Sequence, residues 1–285
     1  MRNIHTSDLA DAVTIQSFLT NQYGQSIKPS ARDFEKAIFT QPNIVQCCKE
    51  NHEKQTVEHV LAMKKKYGRL DKAWMGIWDA LEIMDGLFDL SDPDVKTSQA
   101  IHAFQTAEAV RRDGQPRWLI LTALVHDLGK LLYFLGEPQW TVVADTYPVG
   151  CKYSQKIVYH EFFCNNPDFY DPVYSTQYGI YSPHCGLDNV HMSFGHDEYM
   201  YRVCKKYMPP EALAIIRYHS FFACHTDGEY DWLLNDHDRK MMPWVKAFTR
   251  YDRCAMNVEE IPDIQTLRPY YEELIAEYFP PKIRW

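Results

Sequence analysis

Apolar residues recur at helical spacing along most of the chain. Val57, Val60, Leu61 and Met63 mark one amphipathic segment, and Ile77, Trp78, Leu81 and Met84 mark another that stops at Gly86. A Ser91-Asp92-Pro93-Asp94 turn feeds a third helix, predicted from about Thr97 to Arg112 and closed by Gly114. Between Pro116 and Gly136 the pattern changes: Trp118 to Val125 and Leu131 to Leu135 are apolar on nearly all sides, which puts this helix in the core. Further helices are predicted at about Gly195 to Lys206, Pro210 to Phe222, Pro243 to Asn257 and Pro269 to Tyr278, with prolines taken as their punctuation. The expected fold class is all-α.

Two stretches depart from this pattern. Residues 1–50 are polar and weakly periodic, and residues 137–192 are rich in Pro, Tyr, Asn, Asp and Gly, as in a long irregular excursion that shapes a pocket. A chain of 285 residues can form one large domain or two small ones. The expectation is a single helical bundle over residues 51–285, with residues 1–50 as an arm or lid of the same unit.

Composition narrows the functional classes. Hydrophobic residues at 46% and charged residues at 24% are the balance of a folded globular protein. The net charge is -8 and no basic run exceeds Lys64-Lys65-Lys66, read as a solvated helix face, so no nucleic-acid partner is expected. The longest apolar run, Trp118 to Val125, is too short to span a bilayer, and Met1 to Val13 lacks the apolar core of a secretory leader. The eight cysteines show no CxxC spacing, which suits a reducing cytoplasm.

The core helix contains the most surprising residues, His126-Asp127-Leu128-Gly129-Lys130. Polar groups in such a setting need a partner. Positions 126 and 130 are one helical turn apart and are expected to share a face, while Gly129 removes a side chain, as if something approached closely. A carboxylate can bridge two metal ions beside neutral imidazoles. A hydrogen-bonded His-Asp pair would explain this dipeptide alone. The weight comes from His102, His196, His219 and Asp252, each set in apolar periodicity on other predicted helices. With His126 and Asp127 they form a nitrogen and oxygen donor set, without cysteine, of the kind helical bundles hold around two metals.

These residues lie in longer motifs. They include Asp85-Gly86-Leu87, His102-Ala103-Phe104-Gln105-Thr106-Ala107-Glu108, Gly136-Glu137-Pro138-Gln139-Trp140, Pro183-His184-Cys185-Gly186-Leu187-Asp188, Ser193-Phe194-Gly195-His196-Asp197-Glu198-Tyr199 and Arg217-Tyr218-His219-Ser220-Phe221. From about Gln55 to Trp285 the chain resembles the myo-inositol oxygenase family, a branch of the helical HD-domain superfamily. The resemblance implies O2-dependent cleavage of the myo-inositol ring to D-glucuronate, in inositol catabolism; a monomer is expected. It implies two irons, Fe(II)/Fe(III): His102, His126, Asp127 and Asp252 would hold one, and Asp127, His196 and His219 the other. Asp127 and Lys130 would be catalytic. The substrate-binding positions fall on Arg32, Asp89, Leu90, Ser91, Lys130, Ala144, Asp145, His219 and Ser220. Leu90 replaces a usual acidic residue, Ala144 a usual glycine, and Arg32 is matched through Ser30-Ala31-Arg32-Asp33-Phe34.

The alternative is a metal-dependent phosphohydrolase on the same scaffold, since fold alone does not select the chemistry. Such an enzyme needs cations around a phosphate, for which Lys130, Arg217 and Arg32 are the candidates.

Overall fold

A computed structural model describes residues 40–91, 97–255 and 261–285. It is helical, as the periodicity predicts: α1 (Pro42–Lys54), α2 (Val57–Tyr67), α3 (Ile77–Met84), α4 (Gln99–Arg112), α5 (Arg117–Val125), α6 (Gln139–Val142), α7 (His196–Cys204), α8 (Pro210–Tyr218), α9 (Phe222–His225), α10 (Asp236–Ala255) and α11 (Ile264–Tyr278). Caps set the starts of α2 and α4, where Thr56 accepts from the His59 amide and Ser98 from that of Ile101. Residues 143–195 form the irregular excursion, with short 3-10 turns and one bridge between Pro148 and Met192.

The apolar α5 runs through the centre, with Leu119, Leu121, Ala123, Leu124 and Val125 fully enclosed. It packs on α4 and α8, and α4 and α8 both pack on α10, so these four helices form the frame of the bundle. No described helix is long and apolar enough to cross a membrane.

Four local features differ from the expectation. Helix α1 begins inside the stretch read as weakly periodic and runs past its end, with an inward face that is partly polar: Asn51 donates to Trp140 O at 2.8 Å and accepts from Tyr147 Oη at 2.7 Å, and buried His52 meets Tyr159 O at 3.2 Å. Helices α10 and α11 start earlier than their prolines suggest, and Pro243 and Pro269 lie inside them. The true start signals are Asn235, paired reciprocally with Asp238, and Asp263, which accepts from the Gln265 and Thr266 amides. Lys64 is half-buried against His191 and not part of a solvated face, although Lys65 is exposed.

The fourth difference is a pair of two-residue strands, β1 (Trp74–Met75) and β2 (Ile283–Arg284), antiparallel with Met75 opposite Ile283. They anchor Trp285, whose side chain is enclosed and whose backbone exchanges hydrogen bonds with Lys72 and Ala73.

Candidate metal centre

Helix α5 ends at Val125, and the chain tightens into a 3-10 turn, Leu128–Tyr133. The expected continuous α-helix is therefore broken beside the critical residues. Three residues per turn bring Lys130 over Asp127, not over His126, and Lys130 Nζ donates to Asp127 Oδ2 at 2.9 Å. Gly129 is the point of close approach: a Cβ there would stand 2.0 Å from the His196 carbonyl oxygen.

The histidines come from different helices and converge with their Nε2 atoms on Asp127. His102 leaves α4, His126 caps α5, His196 opens α7 and His219 caps α8; Asp252 joins them from α10. The two carboxylate oxygens of Asp127 divide the set. Oδ2 lies 3.7 Å from His102 and 3.5 Å from His126, while Oδ1 lies 3.3 Å from His196 and 3.5 Å from His219. Asp252 Oδ1 completes the first side, 2.9 Å from His102 and 3.4 Å from His126. The described residues thus contain two groups able to hold a metal ion, and they share Asp127.

The donor set fits metal ions on its own chemistry. Ring Nδ1 faces a backbone carbonyl in three of the histidines: Ala123 O for His126 and Val142 O for His196, both at 2.8 Å, and Ile216 O for His219 at 3.1 Å. A carbonyl only accepts, so Nδ1 carries the proton, and a neutral ring then turns a lone pair inward at Nε2. His126 Nε2 is buried without a hydrogen-bond partner, an orphaned acceptor at the centre of the cluster. The Nε2 atoms of His196 and His219 stand 3.3 Å apart, which calls for a proton or a metal between them. Imidazole and carboxylate suit iron, manganese or zinc, and no described cysteine belongs to either group.

Electrostatics bind the cluster together. Burial opposes the charge on Asp127, but the neighbouring Lys130 ammonium is the largest influence holding the carboxyl well below the usual range. Burial likewise opposes the charge on Asp252, which its hydrogen bond with His102 holds low, and that on Lys130, which Asp127 and Asp89 hold above the ordinary lysine value. Lys130 Nζ donates to Asp89 at 2.7 Å, to Asp127, and to Gln99 Oε1 at 2.7 Å, so all three ammonium protons have acceptors.

One cavity is lined by Asp89, Ser91, Lys130, Ala144, Asp145, His219 and Ser220 together with the inward faces of the metal groups. Asp89 Oδ1 accepts from both the amide and the hydroxyl of Ser91, whose Oγ accepts from the Ala144 amide at 2.9 Å. Ala144 has φ +83°, a region that glycine occupies without strain. Leu90 is exposed and does not line the cavity, so this position contributes only its amide, bound to Gln139. Arg32 lies outside the described residues. Arg217 turns away from this cavity to Glu198 and Asp188, so it supplies no cation to a phosphate held at the metal groups, as the alternative reading would need.

Several contributors were not anticipated. Asp197 Oδ1 lies 2.8 Å from His196 Nε2 and 3.3 Å from His219 Nε2, and Thr146 donates to its other oxygen at 2.8 Å. His196-Asp197 repeats the His126-Asp127 dipeptide, a signal that could have found it. Gln99, Phe222 and Arg253 also belong to the site's surroundings, the last two as cavity lining.

The profile of the family described as Myo-inositol oxygenase matches residues 41–285. A protein of Oryza sativa subsp. japonica named "Probable inositol oxygenase" is 43% identical over 273 residues, covering 93% of this chain and 87% of its own length. "Inositol oxygenase" of Bos taurus is 46% identical over 239 residues, covering 82% of this chain and 84% of its own. "Inositol oxygenase" of Dictyostelium discoideum is 40% identical over 272 residues, 92% of this chain and 93% of its own. Matches of this identity and extent, over a chain whose buried histidines and aspartates converge on one cavity, make the protein a member of the myo-inositol oxygenase family.

Proposed function

We propose that this chain is an inositol oxygenase that uses O2 to open the ring of myo-inositol, giving D-glucuronate and water. The observation that carries the reading is the division of Asp127, with one oxygen turned to each histidine pair at the wall of a polar cavity. His102, His126, Asp252 and Asp127 would hold one iron, and His196, His219 and Asp127 the other. A mixed-valent Fe(II)/Fe(III) pair supplies O2 activation and lowers the pKa of a bound hydroxyl.

The protein's own groups bind and orient the polyol. Asp89, Ser91, Asp145 and Ser220 offer donors and acceptors to ring hydroxyls, and a stereoisomer that leaves one of them unpaired is penalised. Lys130 keeps a fixed positive charge beside Asp127, where negative charge develops as the substrate hydroxyl loses its proton. Asp197, held by Thr146 and Ser220, sets its carboxylate against the His196 and His219 rings.

Against a phosphohydrolase stands the pairing of its candidate cations: Lys130 is held by two carboxylates and Arg217 faces another cavity. The test is aerobic incubation of iron-loaded protein with myo-inositol. The expected result is one O2 consumed and one glucuronate formed per inositol. Phosphate release from phosphate esters without O2 uptake would select the hydrolase.

A further inference from the structure

Helices α7 and α8 each serve both the metal centre and a second cavity, and on each the two uses include residues two positions apart: His196 and Glu198 on α7, His219 and Arg217 at the end of α8. Two positions are about 200° around a helix, so this second cavity lies behind the histidines and not among them. It is a groove of about 980 Å³. Seven lysine and arginine side chains line it against two carboxylates, on a chain whose net charge is -8. That concentration of charge runs against the composition of the whole molecule.

Both carboxylates are already paired. Glu198 accepts from Arg202 at 2.6 Å and from Arg217 at 2.8 Å, and Asp188 accepts from Arg217 at 2.6 Å. Lys64, half-buried in the same groove, interacts with Glu198 only at longer range and donates instead to His191 Nδ1 at 3.2 Å. Burial pushes its ammonium below the ordinary lysine value, and Arg217 and Arg202 add to that effect, as expected for a cation whose counter-charge is incomplete. At the exposed rim stand Lys205, over the Tyr201 ring, Lys206, and Arg284, over the Trp74 ring.

We propose that this groove binds a small polyphosphate anion, with Lys64, Arg202 and Arg217 as its floor and Lys205, Lys206 and Arg284 as its rim. With Arg202 and Arg217 already sharing Glu198 and Asp188, Lys64, Lys205, Lys206 and Arg284 carry the excess charge, and adjoining phosphates spread negative charge over floor and rim together. The volume is that of a small-molecule site. A long nucleic acid is disfavoured because the acidic remainder of the surface repels it. This site is separate from the inositol cavity and requires none of its residues.

The experiment is calorimetric titration of the iron-loaded full-length protein with inorganic triphosphate and with ATP, at low and at raised salt. A single site is expected for both probes, weakening with salt. Lys64→Gln, and separately the exposed pair Lys205→Glu with Lys206→Glu, should each weaken binding by about tenfold or more, with iron content unchanged. The pair lies at the surface and leaves the core untouched, so it tests the site even if Lys64→Gln folds poorly. Absence of binding at low salt, ATP binding without triphosphate binding, or unchanged affinity in the pair variant would each overturn the proposal.

Discussion

The backbone of Gly129 rests against the carbonyl of His196 so closely that no side chain fits between them. This contact docks the 3-10 turn carrying Asp127 and Lys130 onto the first turn of α7. A methyl group there would meet backbone oxygen, not a movable side chain, so relief requires α7 and the turn to separate. Gly129→Ala is expected to cost about 2–3 kcal/mol in urea unfolding and to release the metal held by His196 and His219 before the other. Wild-type stability with two bound metals would contradict this.

Asp127 faces both histidine pairs, whereas Asp252 faces only His102 and His126. Asp127→Ala should therefore reduce both metal sites and abolish oxygen uptake. Asp252→Ala should reduce mainly one, leaving about one metal per chain by elemental analysis, a difference of a few kcal/mol in metal affinity. Equal metal content in Asp127→Ala and the parent protein would remove the bridge from the scheme.

Lys130 compensates two buried carboxylates, so its replacement has two separable effects. Without metal, Lys130→Met leaves Asp89 and Asp127 facing each other and should lower stability by roughly 3–5 kcal/mol. With iron bound at Asp127 much of that loss is restored, but turnover should fall at least about a hundredfold for want of the fixed charge. Near-parent turnover in the iron-loaded variant would make Lys130 a structural residue.

Ala144 holds a backbone conformation that a β-carbon opposes, and its amide ties Ser91 and Asp89 to the cavity wall. Ala144→Gly is expected to raise the urea midpoint, worth about 0.5–1 kcal/mol, without loss of the Ser91 contact. A lower midpoint would mean that no strain resides there.

The convergence of the candidate ligands was largely legible because each of these histidines interrupts an apolar helical pattern, and the motif resemblance pointed to their grouping around Asp127. Asp197 escaped notice because an acidic residue in a first helical turn already has an explanation in the helix dipole. Helix α1 was hidden by Asn51 and His52, polar residues on a buried face whose partners lie about a hundred residues away. The beginnings of α10 and α11 were obscured by prolines tolerated inside helices, while the capping side chains stood several residues upstream. The tightening at Leu128–Tyr133 could not be read from apolar spacing, since the contact that demands it comes from His196.

The proposed ligand set would also order events during synthesis. His102 and His126 leave the ribosome long before Asp252, and at about 5–20 residues per second the interval is on the order of ten seconds. During that time an unfinished chain displays a partial, flexible cluster of imidazoles, and such a cluster binds copper and zinc more tightly than iron by the Irving–Williams order. If the proposed irons are the resident metals, their selection would belong to the interval after α10 has docked, when geometry and not intrinsic affinity decides which ion stays.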